Sequence, residues 1–489
     1  MTPLPRHAEV KAAQPVNGLE HSWIGRMPLV NFIVIVSDTL RRDHLGCYAN
    51  DWISTPNLDR LATESVLFDR AYSGSFPTIP HRTDLMTGRY SFTYSDWSPL
   101  PRTDVVLAQA LGEAGYTSMF IADTPHLLRD GYYFDRGFNG ALWVRGQEND
   151  RYRTDPVDVE IACDPEKLRN TVRTMTQYLR NTAERRYEED YFAPQTMTQA
   201  MRWLEHNYRR DKFFLYVDTF DPHEPWDPPQ WYVDRYDPGY QGQEIVYPIY
   251  GPTSYLTPEE LKHIRALYAG EVTMVDRWVG ALVHKVEDLG ILDDTVILFT
   301  TDHGFYLGDH GLIGKVVMLY EAVNHIPLMF RMPGGCGRRS DALVQPADIM
   351  PTLLQLAGAD DPGTMHGKSL VGLLHGDGRP VRDVAVSSWS IIHEPKIKGG
   401  LPTSDNPYEW AQAAWKLKPS TTTDGEWAYI CGAGDMPAEL YHLPTDPEQE
   451  RNVATDHGDV IRELHARYIA FLESVGTNEE YLRHRRALP

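Results

Sequence analysis

Short, nearly continuous apolar runs recur along the chain, and polar residues begin abruptly where each run ends. The first run, Leu29–Val36, is rich in β-branched residues. A run this short and this apolar is typical of a strand that is buried on both faces, as in a parallel sheet. Four similar runs follow, at Tyr116–Ala122, Phe213–Val217, Thr295–Thr300 and Ile326–Met332.

Helical patterns separate these runs. Asp104–Glu113 ends just before Gly115, and Pro258–Leu289 ends at Gly290. Regular alternation of strands and helices predicts an α/β fold with a doubly wound, mostly parallel sheet flanked by helices.

The chain divides into three predicted regions. They are an N-terminal arm over residues 1–28, a catalytic α/β domain over 29–379 and a C-terminal α+β subdomain over 380–489. Within the catalytic domain, residues 146–212 are rich in Arg, Glu, Asp and Tyr, and we predict a helical insertion or lid there. The subdomain is expected to form a small antiparallel sheet. Its predicted elements are strands at Trp427–Cys431 and Glu439–Leu443 and a helix at Val460–Val475.

Charge and cysteine content exclude several classes of protein. Lys plus Arg number 47 and Asp plus Glu number 68, so the formal net charge is −21. A general nucleic-acid binder would instead show a basic stripe. The four cysteines form no CxxC pair, which leaves no sign of a zinc finger or a disulfide framework.

The N-terminus carries charges of both signs and lacks the apolar core of a signal peptide. No apolar run approaches the roughly 18 residues of a membrane span. We therefore expect a cytoplasmic protein that binds neither membranes nor nucleic acid. A homo-oligomer is compatible with the sequence.

Acidic residues follow four of the apolar runs. They are Asp38, Asp123, Asp218 and Asp302. In doubly wound sheets, ligands bind in the crevice beyond the carboxyl ends of the strands. The sequence therefore predicts that these carboxylates meet at one edge of the sheet.

Two of these positions form a candidate metal site. Asp38 alone could simply cap a helix. Asp302 is followed directly by His303, and together the three side chains offer carboxylate oxygens and an imidazole nitrogen to one divalent ion. Such mixed ligation suits Zn, Mn or Fe better than Ca or Mg.

The segment around Thr78 is a candidate anion site. Pro80 suits the first turn of a helix, and Gly88 suits its end. Thr78 then lies at the helix N-terminus, where free N–H groups and the helix dipole favour an anion. Thr78 could be a plain cap, but Arg82, one turn on, could clamp a phosphoryl or sulfuryl group.

Three histidines and a lysine also follow strand ends. His126 and His223 come after the second and third runs, and His310 and Lys315 come after the Asp-His pair. Each histidine alone could be a structural residue. Their common placement indicates that they share a site.

Taken together, these segments resemble the sulfatase family of the alkaline phosphatase superfamily, over about residues 29–455. The matching motifs are Ser37–Tyr48, Thr55–Ala62, Met86–Arg89, Thr301–Lys315 and Glu439–Glu448.

The resemblance implies a role for each candidate residue. The implied metal ligands are Asp38, Thr78, Asp302 and His303. The implied groups around the ester anion are Arg82, Lys315 and His223. The resemblance implies that His126 lies near the leaving group, and we expect His126 or His310 to donate a proton to it. We expect one divalent metal ion, because Lys315 can supply the charge of a second. A second ion would need Asp218 or Asp221 with His223 and His310.

The sequence departs from the family pattern at several positions. An Asp-His pair is closer to phosphonate monoester hydrolases and nucleotide pyrophosphatases than to arylsulfatases, which typically show Asp-Asn. Thr39 stands where many arylsulfatases have a second aspartate, and Thr124 stands where many have a lysine. Thr78 occupies the position of the formylglycine that sulfatases make from Cys or Ser. Formylglycine is therefore not expected here.

This last departure bears on the reaction. A formylglycine hydrate can expel sulfate by collapsing to the aldehyde, whereas a sulfated threonine cannot. Water can resolve a phosphothreonine, as threonine-dependent members of the superfamily imply. We predict a hydrolase that cleaves a small anionic phosphodiester or phosphonate monoester through a phosphothreonine. A sulfatase that uses unmodified threonine and a non-catalytic anion- and metal-binding pseudo-enzyme are the alternatives.

Overall fold

A computed structural model describes residues 30–392, 402–404, 406–431 and 436–488. The predicted arm over 1–28 lies outside the described residues. The strands are β1 Asn31–Ser37, β2 Val66–Ala71, β3 Thr117–Ala122, β4 Gly140–Trp143, β5 Phe213–Thr219, β6 Gly251–Pro252, β7 Thr295–Thr300, β8 Tyr306–Leu307, β9 Leu312–Gly314, β10 Leu328–Arg331, β11 Arg338–Val344, β12 Ala385–Ser388, β13 Ser420–Thr423, β14 Trp427–Cys431 and β15 Glu439–His442.

Helices of very different length connect these strands. The α-helices are α1 Pro56–Thr63, α2 Thr78–Thr87, α3 Leu107–Glu113, α4 Pro125–Leu128, α5 Thr176–Thr182, α6 Phe192–Asn207, α7 Gln230–Val233, α8 Pro258–Asp288, α9 Glu321–Asn324, α10 Ile349–Ala357, α11 Val371–His375, α12 Pro407–Ala414, α13 Gly458–Ser474 and α14 Glu479–Leu482. Of the helices in the described ranges, none combines the length and apolar character needed to cross a membrane.

The main sheet has eight strands in the order β11-β2-β10-β7-β1-β5-β3-β4. Neighbouring strands are parallel except at β10, which is antiparallel to both β2 and β7. The predicted doubly wound, mostly parallel sheet is therefore confirmed. All five predicted runs form strands of this sheet.

Strand β1 shows why the sheet is covered on both faces. Ile33 and Ile35 belong to one hydrophobic core, and Phe32, Val34 and Val36 belong to another. Successive side chains of a strand point to opposite faces, so a continuous apolar strand needs a packing partner on each side. Helices α1, α6 and α8 contribute to the first core, and α2, α3 and α10 contribute to the second.

A second, antiparallel sheet in the order β12-β13-β14-β15 forms near the C-terminus and is followed by α13. This confirms the small antiparallel sheet predicted there. Its edge strand β12 is joined to the main domain. The Phe76 N–H donates to the Ser388 carbonyl at 2.9 Å, and the Ser387 hydroxyl donates to the Ser73 carbonyl. The C-terminal sheet therefore holds the loop that leads into α2.

The segment over residues 146–212 is only partly helical. Residues 146–164 contain neither helix nor strand, whereas α5 and α6 lie in the second half. In the first half, polar side chains bond to other parts of the fold, and these bonds compete with the backbone hydrogen bonds of a helix. Asp150 pairs with Arg145, and the Gln147 amide donates to Asp221 at 2.7 Å.

Candidate active site

The parallel strands bring the predicted metal ligands together. Strand β1 lies between β5 and β7, and Asp38 and Asp302 follow the ends of β1 and β7. Ligand atoms of Asp38, Asp302 and His303 all lie within 4.8 Å of one another. All three side chains are fully buried. Among the residues that the structure describes, this is the group of His, Cys, Asp and Glu with metal-site spacing.

The His303 ring is oriented for ligation. Its Nδ1 donates to the Gly304 carbonyl at 2.8 Å, which leaves Nε2 free for a metal. Burial lowers the pKa of His303 to about 4, so the neutral form that binds metals prevails. Gly304 is required here because a Cβ at this position would lie 2.1 Å from the Ala322 carbonyl oxygen.

Thr39 holds both carboxylates in place. Its hydroxyl donates to Asp38 Oδ1 at 2.6 Å, and its N–H donates to Asp302 Oδ1 at 2.9 Å. The threonine that replaces the usual second aspartate therefore supports the two candidate ligands.

Arg82 is buried among three carboxylates. Its Nε and Nη2 donate to Asp218 at 3.1 and 3.0 Å, and its Nη1 contacts Asp302 and lies 3.0 Å from Asp38 Oδ2. The sequence predicts a clamp on the ester. In the structure the guanidinium instead neutralises carboxylates, because all of its donor nitrogens face them.

The residues present fit a divalent metal ion. The three carboxylates around Arg82 exceed its single positive charge. Asp38 Oδ2 is buried and accepts no hydrogen bond of good geometry from the residues that the structure describes. Burial and the nearby Asp302 carboxylate raise the pKa of Asp38 well above its usual range. The pKa of Asp302 stays well below that range, because Arg82 and His303 outweigh its burial. A buried oxygen, oxygen and nitrogen set with excess negative charge suits such an ion.

Thr78 faces this group from the first residue of α2. Its Oγ1 lies 3.5 Å from His303 Nε2 and 3.5 Å from Lys315 Nζ. The helix ends at Gly88, whose φ of 67° suits glycine, so both predicted ends of the helix are correct. The hydroxyl therefore lies at a helix N-terminus, between an imidazole and an ammonium group.

Lys315 is directed by His223. The Lys315 Nζ donates to His223 Nε2 at 2.7 Å, and His223 Nδ1 donates to the Glu224 carbonyl at 2.6 Å. The His223 ring stacks on Phe220 at 3.9 Å between centroids. Burial and the adjacent ammonium group lower the pKa of His223 well below its usual value. His223 is therefore a neutral acceptor.

The remaining two histidines differ in their placement. His126 packs against the edge of the Phe220 ring, and its Nε2 lies 3.2 Å from Glu148 Oε2. His310 is exposed and stacks on Tyr320 at 4.0 Å. Thr78, His303, Lys315 and His223 form a cluster, and His126 joins it because both His126 and His223 pack against Phe220. His310 lies outside this cluster.

The carboxylates considered for a second metal ion are engaged elsewhere. Asp218 accepts from Arg82 and from the hydroxyl of Thr124 at 2.6 Å. Asp221 accepts from Gln147 and from the Ala193 N–H at 3.0 Å. The hydroxyl of Thr124, which stands where many relatives carry a lysine, therefore supports a partner of Arg82.

Comparison with known proteins agrees with this geometry. The sequence model of the family described as Sulfatase matches residues 30–359. The chain belongs to the sulfatase family. An arylsulfatase of Clostridium perfringens is 27% identical over 398 residues, which cover 70% of this chain and 78% of the relative.

Two further proteins are similar to this chain over most of its length. A multifunctional alkaline phosphatase superfamily protein of Trinickia caryophylli is 24% identical and is matched over 87% of this chain and 91% of its own. The crystal structure of a phosphonate monoester hydrolase of Agrobacterium radiobacter superposes with a TM-score of 0.71 at 25% identity. It covers 91% of this chain and 95% of its own. A sulfatase-family chain with these relatives is an ester-bond hydrolase.

Sequence reasoning about this sulfatase-family site missed Glu148, Arg169 and the carboxylate of Glu224. The three side chains surround the two histidines of the cluster. A segment rich in Arg and Glu is a detectable signal, but composition does not tell which of its charges are buried.

Proposed function

We propose that this sulfatase-family enzyme hydrolyses a small anionic phosphodiester or phosphonate monoester, with Thr78 as the nucleophile. The placement of the Thr78 hydroxyl carries the proposal. It lies at a helix N-terminus, within 3.5 Å of both Lys315 Nζ and His303 Nε2. The Lys315 ammonium group and the helix N-terminus both favour loss of the hydroxyl proton.

The other residues of the cluster divide the remaining tasks. The Thr78 hydroxyl first gives its proton to water, and Oγ1 then attacks phosphorus as the bond to the leaving-group oxygen breaks. Lys315 stabilises the charge on the non-bridging oxygens, and His223 fixes its direction by accepting one of its protons. Water then attacks the phosphothreonine and releases Thr78.

Asp38, Asp302 and His303, with Thr78 beside them, would hold one divalent ion. When bound, the ion would supply Lewis-acid stabilisation of the anionic ester. Zn, Mn or Fe suits this donor set better than Ca. Arg82 keeps the ligand carboxylates in position through its three buried ion pairs.

Some similar proteins favour a phosphorus ester as the substrate, and others favour a sulfate ester. The phosphonate monoester hydrolase resembles this chain over most of its length. The arylsulfatase relative and the family match favour the second candidate, a sulfatase that uses unmodified threonine. The cytoplasmic location stays a prediction from the sequence.

A substrate panel tests the proposal. Metal-stripped protein is reloaded with Mn or Zn and assayed on p-nitrophenyl phenylphosphonate, bis-p-nitrophenyl phosphate, p-nitrophenyl phosphate and p-nitrophenyl sulfate. We expect diester or phosphonate turnover that needs the metal and falls at least about 10³-fold in Thr78→Ala, since a nucleophile is lost.

Thr83→Ala is the matched control. Thr83 is buried on the same helix, and its hydroxyl bonds only to the Ile79 carbonyl. This variant should keep its turnover. Dominant sulfate turnover would instead support the second candidate. Metal binding without turnover on any substrate would contradict both and favour a pseudo-enzyme.

A further inference from the structure

A carboxylate lies beside His126, which is the outer and more exposed of the two histidines that pack against Phe220. Glu148 Oε2 lies 3.2 Å from His126 Nε2, and Glu148 Oε1 accepts from the Tyr247 hydroxyl at 2.6 Å. The Glu148 side chain is buried, with 6% of its surface exposed. A buried carboxylate beside one imidazole nitrogen restrains the orientation of the ring.

Arg169 connects this pair to the inner histidine. Its Nη2 donates to Glu224 Oε1 at 2.6 Å and lies 3.6 Å from Glu148 Oε1. Glu224 Oε2 in turn lies 3.3 Å from His223 Nδ1. One arginine therefore ties together two buried carboxylates, each of which backs a different histidine.

Phe220 fixes the spacing of the two rings. His223 stacks on the Phe220 ring, and His126 meets it edge-on at 5.7 Å between centroids. His126 is the more exposed of the two, with 16% of its side chain accessible against 2% for His223, so it lies nearer the solvent from which a substrate enters. Glu148 and Arg169 both come from the segment over residues 146–212, so this segment reaches into the site.

We propose that Glu148 is the positioning residue that makes His126 the proton donor to the leaving group, with Arg169 holding Glu148 in place. This inference rests on the proposed function. Glu148 faces His126 Nε2, and the Nδ1–H of His126 passes its proton to the leaving-group oxygen as the ester bond breaks. The bond electrons stay on that oxygen, which leaves as a neutral alcohol. The water that opens the phosphothreonine returns a proton to His126.

Leaving-group dependence separates this role from a purely structural one. p-Nitrophenoxide is a stable anion and departs without a proton, whereas phenoxide departs poorly unless it is protonated. We expect Glu148→Gln to lower kcat on phenyl phenylphosphonate about 10- to 100-fold and on p-nitrophenyl phenylphosphonate less than about 3-fold. A structural defect would lower both rates alike.

A double-variant cycle sharpens the test. His126→Gln should show the same selective loss, and the pair His126→Gln with Glu148→Gln should lose no more than His126→Gln alone, because the two residues act as one unit. Glu184→Gln is the matched control in the same segment, since Glu184 is exposed and pairs with Arg153 at the surface. This control should behave as wild type on both esters.

Tyr247→Phe provides a second route if Glu148→Gln does not fold. It removes the hydroxyl that donates to Glu148 and keeps the carboxylate. A smaller loss, again confined to the phenyl ester, is expected.

Equal losses on both esters, no loss on the phenyl ester, or additive losses in the double variant would overturn the inference. Failure of the proposed function looks different. In that case wild type cleaves neither phosphonate, and phenyl sulfate compared with p-nitrophenyl sulfate provides the same leaving-group test.

Discussion

Thr39 has a backbone conformation that β-branched residues seldom adopt, with φ of 62°. Such strain costs about 1–3 kcal/mol and persists only where surrounding contacts enforce it. Here the N–H and the hydroxyl each bond to a different ligand carboxylate. The sequence marks Thr39 as a departure from its family, but the φ angle and the two bonds depend on distant residues that a local pattern does not contain.

Replacing Thr39 with valine keeps the shape and the strain and removes one hydrogen bond to Asp38. Groups that orient metal ligands typically contribute 10- to 100-fold to metal affinity. We expect Thr39→Val to weaken Mn binding by about that factor, measured by calorimetric titration of metal-stripped protein. Thr63→Val, at an exposed helix end, is the control. Equal affinities in Thr39→Val and wild type would show that the hydroxyl does not support the site.

The contacts of Arg82 likewise could not be predicted from its own position in the sequence. Its spacing from Thr78 predicts that it lies near the nucleophile, and it does lie at this site. The carboxylates that occupy its donors come from the ends of β1, β5 and β7, far away in sequence. Only the assembled sheet reveals that the guanidinium neutralises them.

Helix α2 is fastened at its C-terminal end by a histidine. His366 Nδ1 accepts from the Tyr90 N–H at 3.1 Å, and the N–H groups of His366 and Gly367 donate to the Gly88 carbonyl at 2.8 and 2.9 Å. Burial, with Arg89 nearby, lowers the pKa of His366 from its ordinary 6.5 to about 4. The neutral ring is the form that can accept the Tyr90 N–H.

This gives a pH dependence of defined sign. Between pH 6.5 and about 4, the unfolded chain protonates His366 and the folded chain does not, so the free energy of unfolding falls as the pH is lowered. His366→Asn keeps an acceptor but does not titrate, and it should flatten that part of the stability curve. Urea unfolding at pH 7, 6, 5 and 4 measures the difference between the variant and wild type. Parallel curves would contradict the assignment.

Among the secondary-structure elements, the buried ones are the best predicted. Strands β7 and β14 have the predicted bounds, because their residues are almost continuously apolar or β-branched. Strands β2 and β11 escape prediction, since each mixes charged residues with apolar ones toward the edge of the sheet. Residues 146–164 were expected to be helical and are not, because their polar side chains bond to other parts of the fold.

At the scale of the whole molecule, the metal site should contribute to stability. Asp38, Asp218 and Asp302 are buried around one guanidinium, so an ion that binds only the folded state relieves their repulsion. Mn at 100 times its Kd should raise the free energy of unfolding by about 2.7 kcal/mol.

Thermal unfolding with and without Mn, after EDTA treatment, measures this effect. Asp302→Asn should abolish the Mn-dependent rise in melting temperature. Asp293→Asn, which alters a carboxylate with 80% of its side chain exposed, should retain the rise. The same rise in both variants would place the ion elsewhere.

The sheet architecture and most of the site could be foreseen because parallel strands converge at their carboxyl ends. Asp38, Asp302 and His303 lie together for that reason, and Thr78 faces them as its motif predicts. The pair of Glu148 and His126 could not be foreseen, because an irregular segment brings the glutamate to the histidine.

The attachment of β12 to the loop that leads into α2 also sets an order of events during synthesis. Ser387 bonds to Ser73, a residue made 314 positions earlier in the chain. At roughly 5–20 residues per second, the ribosome adds that length in about 15–60 s. For nearly all of this interval Thr78 has been made, while the strand that secures its loop does not yet exist. The loop that leads into α2 therefore lacks this support until residues 385–388 have been made.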